Sequence, residues 1–206
     1  MKGNIKRLAV LMIIAAIAMF IPVMTASADD KAIHGEYAVT AGMSCFIAPP
    51  QPPGFNANFT PANPASVSSN SISFQGIFTF NHDGTGSFNS TGVLITPLPV
   101  PSPQLPRANA FHFSFTFTYD VADDDTITID ADANSFQVTF DTGPLPPGGK
   151  GFTADQYVLS GMVSADHKTI TLGSPTTLIQ TCTFINTPIA FNMICNGSYV
   201  LTRLDQ

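Results

Sequence analysis

Phe111-His112-Phe113-Ser114-Phe115-Thr116-Phe117-Thr118-Tyr119 places an aromatic ring at every odd position and a polar side chain at every even one. Side chains of an extended chain point alternately to opposite faces, so period two gives a strand with one apolar and one wet face. Wound as a helix, the same residues would scatter Phe around the whole cylinder. Weaker copies of the alternation lie at Ile127/Ile129, Phe136-Gln137-Val138-Thr139-Phe140 and Lys168-Thr169-Ile170-Thr171-Leu172. Ile72, Phe74, Phe78 and Phe80 share one side of 72–80, where Gly76 is expected to allow a bend or bulge.

Turn chemistry separates these runs. Asn81-His82-Asp83-Gly84-Thr85-Gly86 supplies residues that tolerate positive φ and predicts a hairpin between 72–80 and 87–95. Asp123-Asp124-Asp125 joins the aromatic strand to 126–131, Ala165-Asp166-His167-Lys168 joins 152–164 to 169–173, and Asn186-Thr187-Pro188 joins the last two strands. The sum is about nine or ten strands and no helix after residue 28. This predicts an all-β fold: a single antiparallel β-barrel of about 8–10 strands, with a β-sandwich as the alternative. The 17 Phe, 17 Pro and 15 Gly against a single Glu (Glu36) also argue against a helical bundle.

Residues 1–28 read as a signal peptide. Lys2, Lys6 and Arg7 precede an uncharged run of 17 residues (8–24), and Ala26-Ser27-Ala28 supplies small side chains for cleavage before Asp29-Asp30. The layout is bacterial in type, so a secreted or periplasmic protein is expected, with no membrane association once the signal is removed. Residues 29–206 then form one domain carrying five cations against 14 carboxylates, a net of −9. So acidic a domain is a poor partner for nucleic acid. Pro-rich loops at 49–64, 97–106 and 142–151 cannot be interior strands, because Pro brings no N–H to the ladder. Long loops of this kind act as lids or binding elements, or as stiff connections.

Cys45, Cys182 and Cys195 would enter a compartment where disulfides persist. An odd number gives one bridge and one free thiol. Cys182–Cys195 would staple one hairpin, whereas Cys45–Cys195 would tie the start of the fold to its end, worth roughly 4–5 kcal/mol in the chain-entropy model.

His34-Gly35-Glu36-Tyr37 opens the first strand and Thr202-Arg203-Leu204 closes the last. This resembles the calycin layout of lipocalin-like barrels, whose first strand begins Gly-x-Trp and whose last strand lays an Arg across that ring. Here Tyr37 stands at the Trp position, and Asp155-Gln156-Tyr157 is a loose version of the family's Thr-Asp-Tyr loop. The resemblance implies barrel closure by Tyr37 and Arg203, the guanidinium lying on the aromatic face. With the sheet closed, Tyr37, Val39, Ala41, Met43 and Cys45 share one inward parity, and Phe191, Met193, Cys195, Tyr199 and Leu201 the other. Cys45–Cys195 is then the preferred bridge.

Four His stand apart as His34, His82, His112 and His167, without metal-site spacing, and read as solvated surface residues. Asp120, Asp123, Asp124, Asp125, Asp130 and Asp132 form one acidic cluster that reads as a solvated turn, since the EF-hand register is missing. No metal and no cofactor is expected. No nucleophile elbow, phosphate loop or facing carboxylate pair occurs, so no enzyme is expected; a hydrolase assembled from distant Ser and His is the residual catalytic reading. The leading expectation is non-enzymatic binding of a small apolar ligand in an aromatic-lined cavity. Phe111, Phe113, Phe115, Phe117, Tyr119, Phe74 and Phe78 would be its ligand-binding residues, with the Pro-rich loops around its mouth. The alternative is a structural or surface-interaction domain with a filled core and no ligand.

Overall fold

The computed structural model describes residues 33–49, 54–97, 107–142, 150–175 and 177–204. The expected signal peptide (1–28) and parts of the three Pro-rich segments (50–53, 98–106 and 143–149) lie outside the described residues. Eleven strands make one antiparallel sheet. They are β1 (Gly35–Ala48), β2 (Ser68–Phe80), β3 (Thr85–Thr96), β4 (Arg107–Val121), β5 (Thr126–Ala131), β6 (Gln137–Phe140), β7 (Gly151–Ala154), β8 (Val158–Val163), β9 (Thr169–Gly173), β10 (Gln180–Phe184) and β11 (Ala190–Arg203). Among the described residues the helical structure is a single 3₁₀ turn, Pro64–Ser66, capped by the Asn63 side chain, which accepts from the Ala65 N–H.

β1 pairs with β11 as well as with β2, so the sheet closes into a barrel-like ring. Two of the long strands each serve two partners along one edge. The start of β4 pairs with β6 and its end with β5, while the start of β11 pairs with β10 and its end with β9. β5 and β6 therefore occupy one strand position in succession, as do β7 and β8, and β9 and β10. The 11 segments thus form a ring eight strands around, an up-and-down meander with three interrupted members. Residues 152–164, expected as one strand, are broken at Asp155-Gln156-Tyr157. The break is hydrogen-bonded: Asp155 donates its N–H to Thr181 O (3.1 Å), and Asp155 Oδ1 accepts from Thr181 N (2.9 Å).

The meander separates its connections by type. β2–β3, β4–β5 and β8–β9 are tight turns at one end, hereafter the closed end, each holding a residue at positive φ: Gly84, Asp125 and His167. A carboxylate accepts a backbone N–H in each of them, and in the β2–β3 and β8–β9 turns a hydroxyl as well. Thr85 donates its N–H and hydroxyl to Asp83 (3.1 and 2.6 Å), and Lys168 N–H and the Ser164 hydroxyl donate to Asp166 (3.1 and 2.7 Å). These exposed hydrogen bonds hold both carboxyls below the ordinary carboxylate range. β1 begins and β11 ends at this end too, where Leu204 N donates to Glu36 O (2.9 Å). β1–β2, β3–β4, β6–β7 and β10–β11 connect at the other end, the open end.

Alternation works as expected in β4, where Phe111, Phe113, Phe115 and Phe117 are all buried and His112, Thr116 and Thr118 are exposed. The register runs through Gly76 without a slip, because its place is fixed by the neighbouring strand instead of by a bulge. A Cβ there would strike the Asn89 carbonyl and come within 2.6 Å of Ser90 Cβ.

Candidate functional site

The closed half is filled with buried rings and aliphatic side chains. Tyr37, Phe78, Phe80, Phe88 and Phe117 pack with Ile127, Ile129, Leu159, Ile170 and Leu201, all of them essentially inaccessible to water. Ring pairs adopt the edge-on contacts favoured by their quadrupoles, such as Phe80–Tyr119 (5.1 Å, 89°) and Tyr37–Phe80 (5.4 Å, 81°). Gly86 makes room for this packing, since a Cβ there would collide with the Phe117 ring opposite it. Tyr37 and Arg203 are register partners across the closing strands, and the Tyr37 hydroxyl donates to the His167 carbonyl (2.7 Å). Tyr119 points its hydroxyl at the Ile33 carbonyl (2.6 Å), with Asn81 O at 2.7 Å.

A belt of rings crosses the middle of the ring of strands. Phe74, Phe113, Phe115 and Phe136 surround Tyr157 and Tyr199, with Phe136–Tyr157 at 4.9 Å and Phe74–Tyr199 at 5.6 Å. The two buried hydroxyls are hydrogen-bonded to each other, Tyr157 to Tyr199, and Tyr199 points its own hydrogen at Met43 Sδ (3.8 Å). Burial pushes Tyr199 up to about 12, against the opposing effect of the bond it accepts from Tyr157. Tyr157 is raised well above the usual phenol value, first by burial and then by its neighbour.

Above that belt the open half is hollow. A cavity of about 630 Å³ has Met43, Phe113 and Phe136 at its floor, and Phe111, Phe140, Phe152, Phe184 and Phe191 among its walls. Its polar lining is Ser66, Ser68, Asn70, Thr96 and Asn109; none of the described lining residues carries a charge. At the rim stand Pro49 and Ser66 of the first Pro-rich connection, and Ile189 before β11. Cys45 and Cys195, 150 residues apart, face each other in the β1–β11 register and form the disulfide. Cys182 on β10 is buried and unpaired, and burial drives its thiol far above the usual range.

Of the seven residues expected to bind ligand, Phe111 and Phe113 line this cavity. Phe74 and Phe115 belong to the belt beneath it, and Phe78, Phe117 and Tyr119 fill the closed end. β4 runs the full height of the sheet, so one face of it serves both the void and the packed core. The lining residues not anticipated include Asn70, Asn109, Phe152 and Phe184. One signal pointed to them, namely Ser68 and Asn70 on the same parity as Ile72 and Phe74, polar residues at inward positions next to a Pro-rich segment.

His112 lies on the outer face and pairs through Nδ1 with Asp141 Oδ2 (2.6 Å). His34 and His82 stack at the closed end with ring centres 4.1 Å apart. The acidic run at 123–125 closes the β4–β5 turn, Asp124 Oδ1 accepting from Thr126 N (3.1 Å). Among the described residues, no three His, Cys, Asp or Glu converge as metal ligands, and no helix is long and apolar enough to cross a membrane. Comparison with known proteins finds no family model that matches the chain, and no curated protein or solved structure that it matches.

Proposed function

We propose that this protein is an exported, lipocalin-like binder that holds a small apolar molecule non-covalently in the open-end cavity. The observation that carries the reading is the uneven filling of one continuous sheet. A chain that buries the rings of its closed half almost completely leaves about 630 Å³ unfilled in the other half, with seven Phe in its lining. That volume lies within the range of sites that enclose small ligands, and uncharged walls suit an apolar guest. Binding without chemistry is favoured because the described lining brings no acid, base or thiol to the void. The filled-core alternative accounts for the closed half alone.

The lipocalin likeness is one of layout: eight strand positions, up-and-down order and Tyr37 in register with Arg203. The Cys45–Cys195 bridge fits an oxidising compartment and supports export, as does the leader-like sequence 1–28.

The test is titration of residues 29–206 with N-phenyl-1-naphthylamine, whose emission rises in apolar surroundings. One saturable site per chain is expected. Ile72→Trp, which puts an indole into the void, should weaken probe binding by about tenfold or more. Because the chain has no Trp of its own, the new indole also reports on the site. No emission gain, or equal gain in both proteins, would remove the reading.

A further inference from the structure

Eight large apolar side chains stand exposed among the described residues. Four of them, Phe46, Val93, Ile95 and Val200, lie on the outer face of the neighbouring strands β11, β1, β2 and β3. From Ala38 to Phe46 on β1, and at the outward positions beside them on β11, β2 and β3, that face carries no charged side chain. The described carboxylates gather instead at the closed end and along the β5, β6 and β7 side. Val93 and Ile95 project between Ser71 and Ser73 of β2 and Ala108 and Ala110 of β4, so they form a ridge. Beside the ridge the face dips into a recess of about 570 Å³, lined by Thr40, Gln75, Asn89, Thr91 and His112 among others. Val200 flanks it as the register partner of Thr40, and His112 is paired with Asp141 at its β4 edge.

We infer that this face is where two copies of the chain meet, as a reversible two-fold dimer in which the Val93–Ile95 ridge of each copy enters the recess of the other. The inference is independent of what the cavity holds. Charge favours a second copy as the occupant. Bodies of net charge −9 repel each other, and they approach at least cost across a surface free of carboxylates. A cationic partner would be drawn to the carboxylates of the closed end instead. Shape favours it too, because a ridge and a recess side by side on one face are what a self-complementary contact requires. Four strands about 4.8 Å apart, each about eight residues tall, offer roughly 500 Å² per copy. The pair would bury about 1,000 Å², at the lower edge of specific interfaces, which suits exchange between monomer and dimer. Exposed apolar side chains gathered on one charge-free face are the usual mark of such a contact.

The experiment is sedimentation velocity of residues 29–206 from about 5 to about 500 μM, where an interface of this size should pass from monomer to dimer. Raising NaCl from about 20 to about 500 mM should tighten the dimer several-fold, because salt screens the repulsion between like-charged copies. Val93→Asp and Ile95→Asp should each weaken it about tenfold or more, since each sets a carboxylate into the contact. Met162→Asp, at an exposed outward position on β8, adds the same charge elsewhere and should leave the dimer as it was. A monomer at every concentration overturns the inference, as does a dimer that salt weakens or that Met162→Asp weakens as much as Val93→Asp. A dimer untouched by both ridge substitutions places the contact on another face and overturns it too. If neither ridge variant folds, the concentration series and salt response of the unaltered protein decide the matter.

Discussion

The closed and open ends of the sheet share five long strands and one rule of alternation, yet one is full and the other hollow. At the closed end, short turns hold the strands together and rings from β2, β3 and β4 interlock, with Phe78 and Phe88 centred 4.3 Å apart. At the open end the inward positions of β2, β3 and β4 become Ser68, Asn70, Thr96 and Asn109 as the strands reach long Pro-rich connections. Alternation decides which side chains turn inward. How completely they meet depends on their sizes, on gaps such as Gly86, and on how the far wall is broken. Filling is a property of opposing walls and not of any one strand.

Three perturbations separate the ends. The largest acts on the hollow one, where the disulfide holds together walls that share little core. Replacing both Cys45 and Cys195 by Ala should lower the unfolding free energy in urea by about 4–5 kcal/mol. A loss below about 1 kcal/mol would mean that the open end holds itself together by packing.

The comparison becomes sharper with one ring from each end. Phe117→Ala at the closed end should cost about 3–5 kcal/mol, because the ring is enclosed on all sides. Phe140→Ala, whose ring borders the void, should cost about half as much, since fewer contacts are lost. Equal losses in denaturant unfolding would show that the cavity wall is packed as tightly as the core.

The smallest effect probes the belt between the ends. Tyr157 and Tyr199 hold their protons more tightly folded than unfolded, so their contribution is fully present below pH 10 and is lost as pH climbs toward about 12. Tyrosinate absorbance should therefore rise together with unfolding in that window. Tyr199→Phe should cost about 1–3 kcal/mol at neutral pH, because it leaves the Tyr157 hydroxyl without its acceptor. Tyrosinate formation well ahead of unfolding would place these hydroxyls in contact with solvent.

Much of this architecture is legible in the sequence, because its causes are local or nearly so. The inward face of 111–117, the positive-φ turns and the Cys45–Cys195 bridge follow from alternation, turn residues and the parity of the end strands. The interruption at 132–136 also shows as a turn signal. That β5 and β6 then share a single partner does not show, because the pairing depends on β4 passing both. Which rings of β4 border the cavity is hidden from the sequence for the same reason. Only the opposite wall tells a ring that lines a void from one that fills it. Asn70 was the readable exception, an amide on an apolar face.

The ring shuts where β1 meets β11, along 12 residue pairs from Tyr37–Arg203 to Ala48–Asn192. These are the first and last strands of the fold, so a chain emerging from the ribosome cannot close the ring until β11 is free. Until then β1 offers an unpaired row of amides, and the closing step joins segments far apart along the backbone, which slows folding. A chain that ripens so late keeps both rims of its sheet open to other partners until β11 is in place.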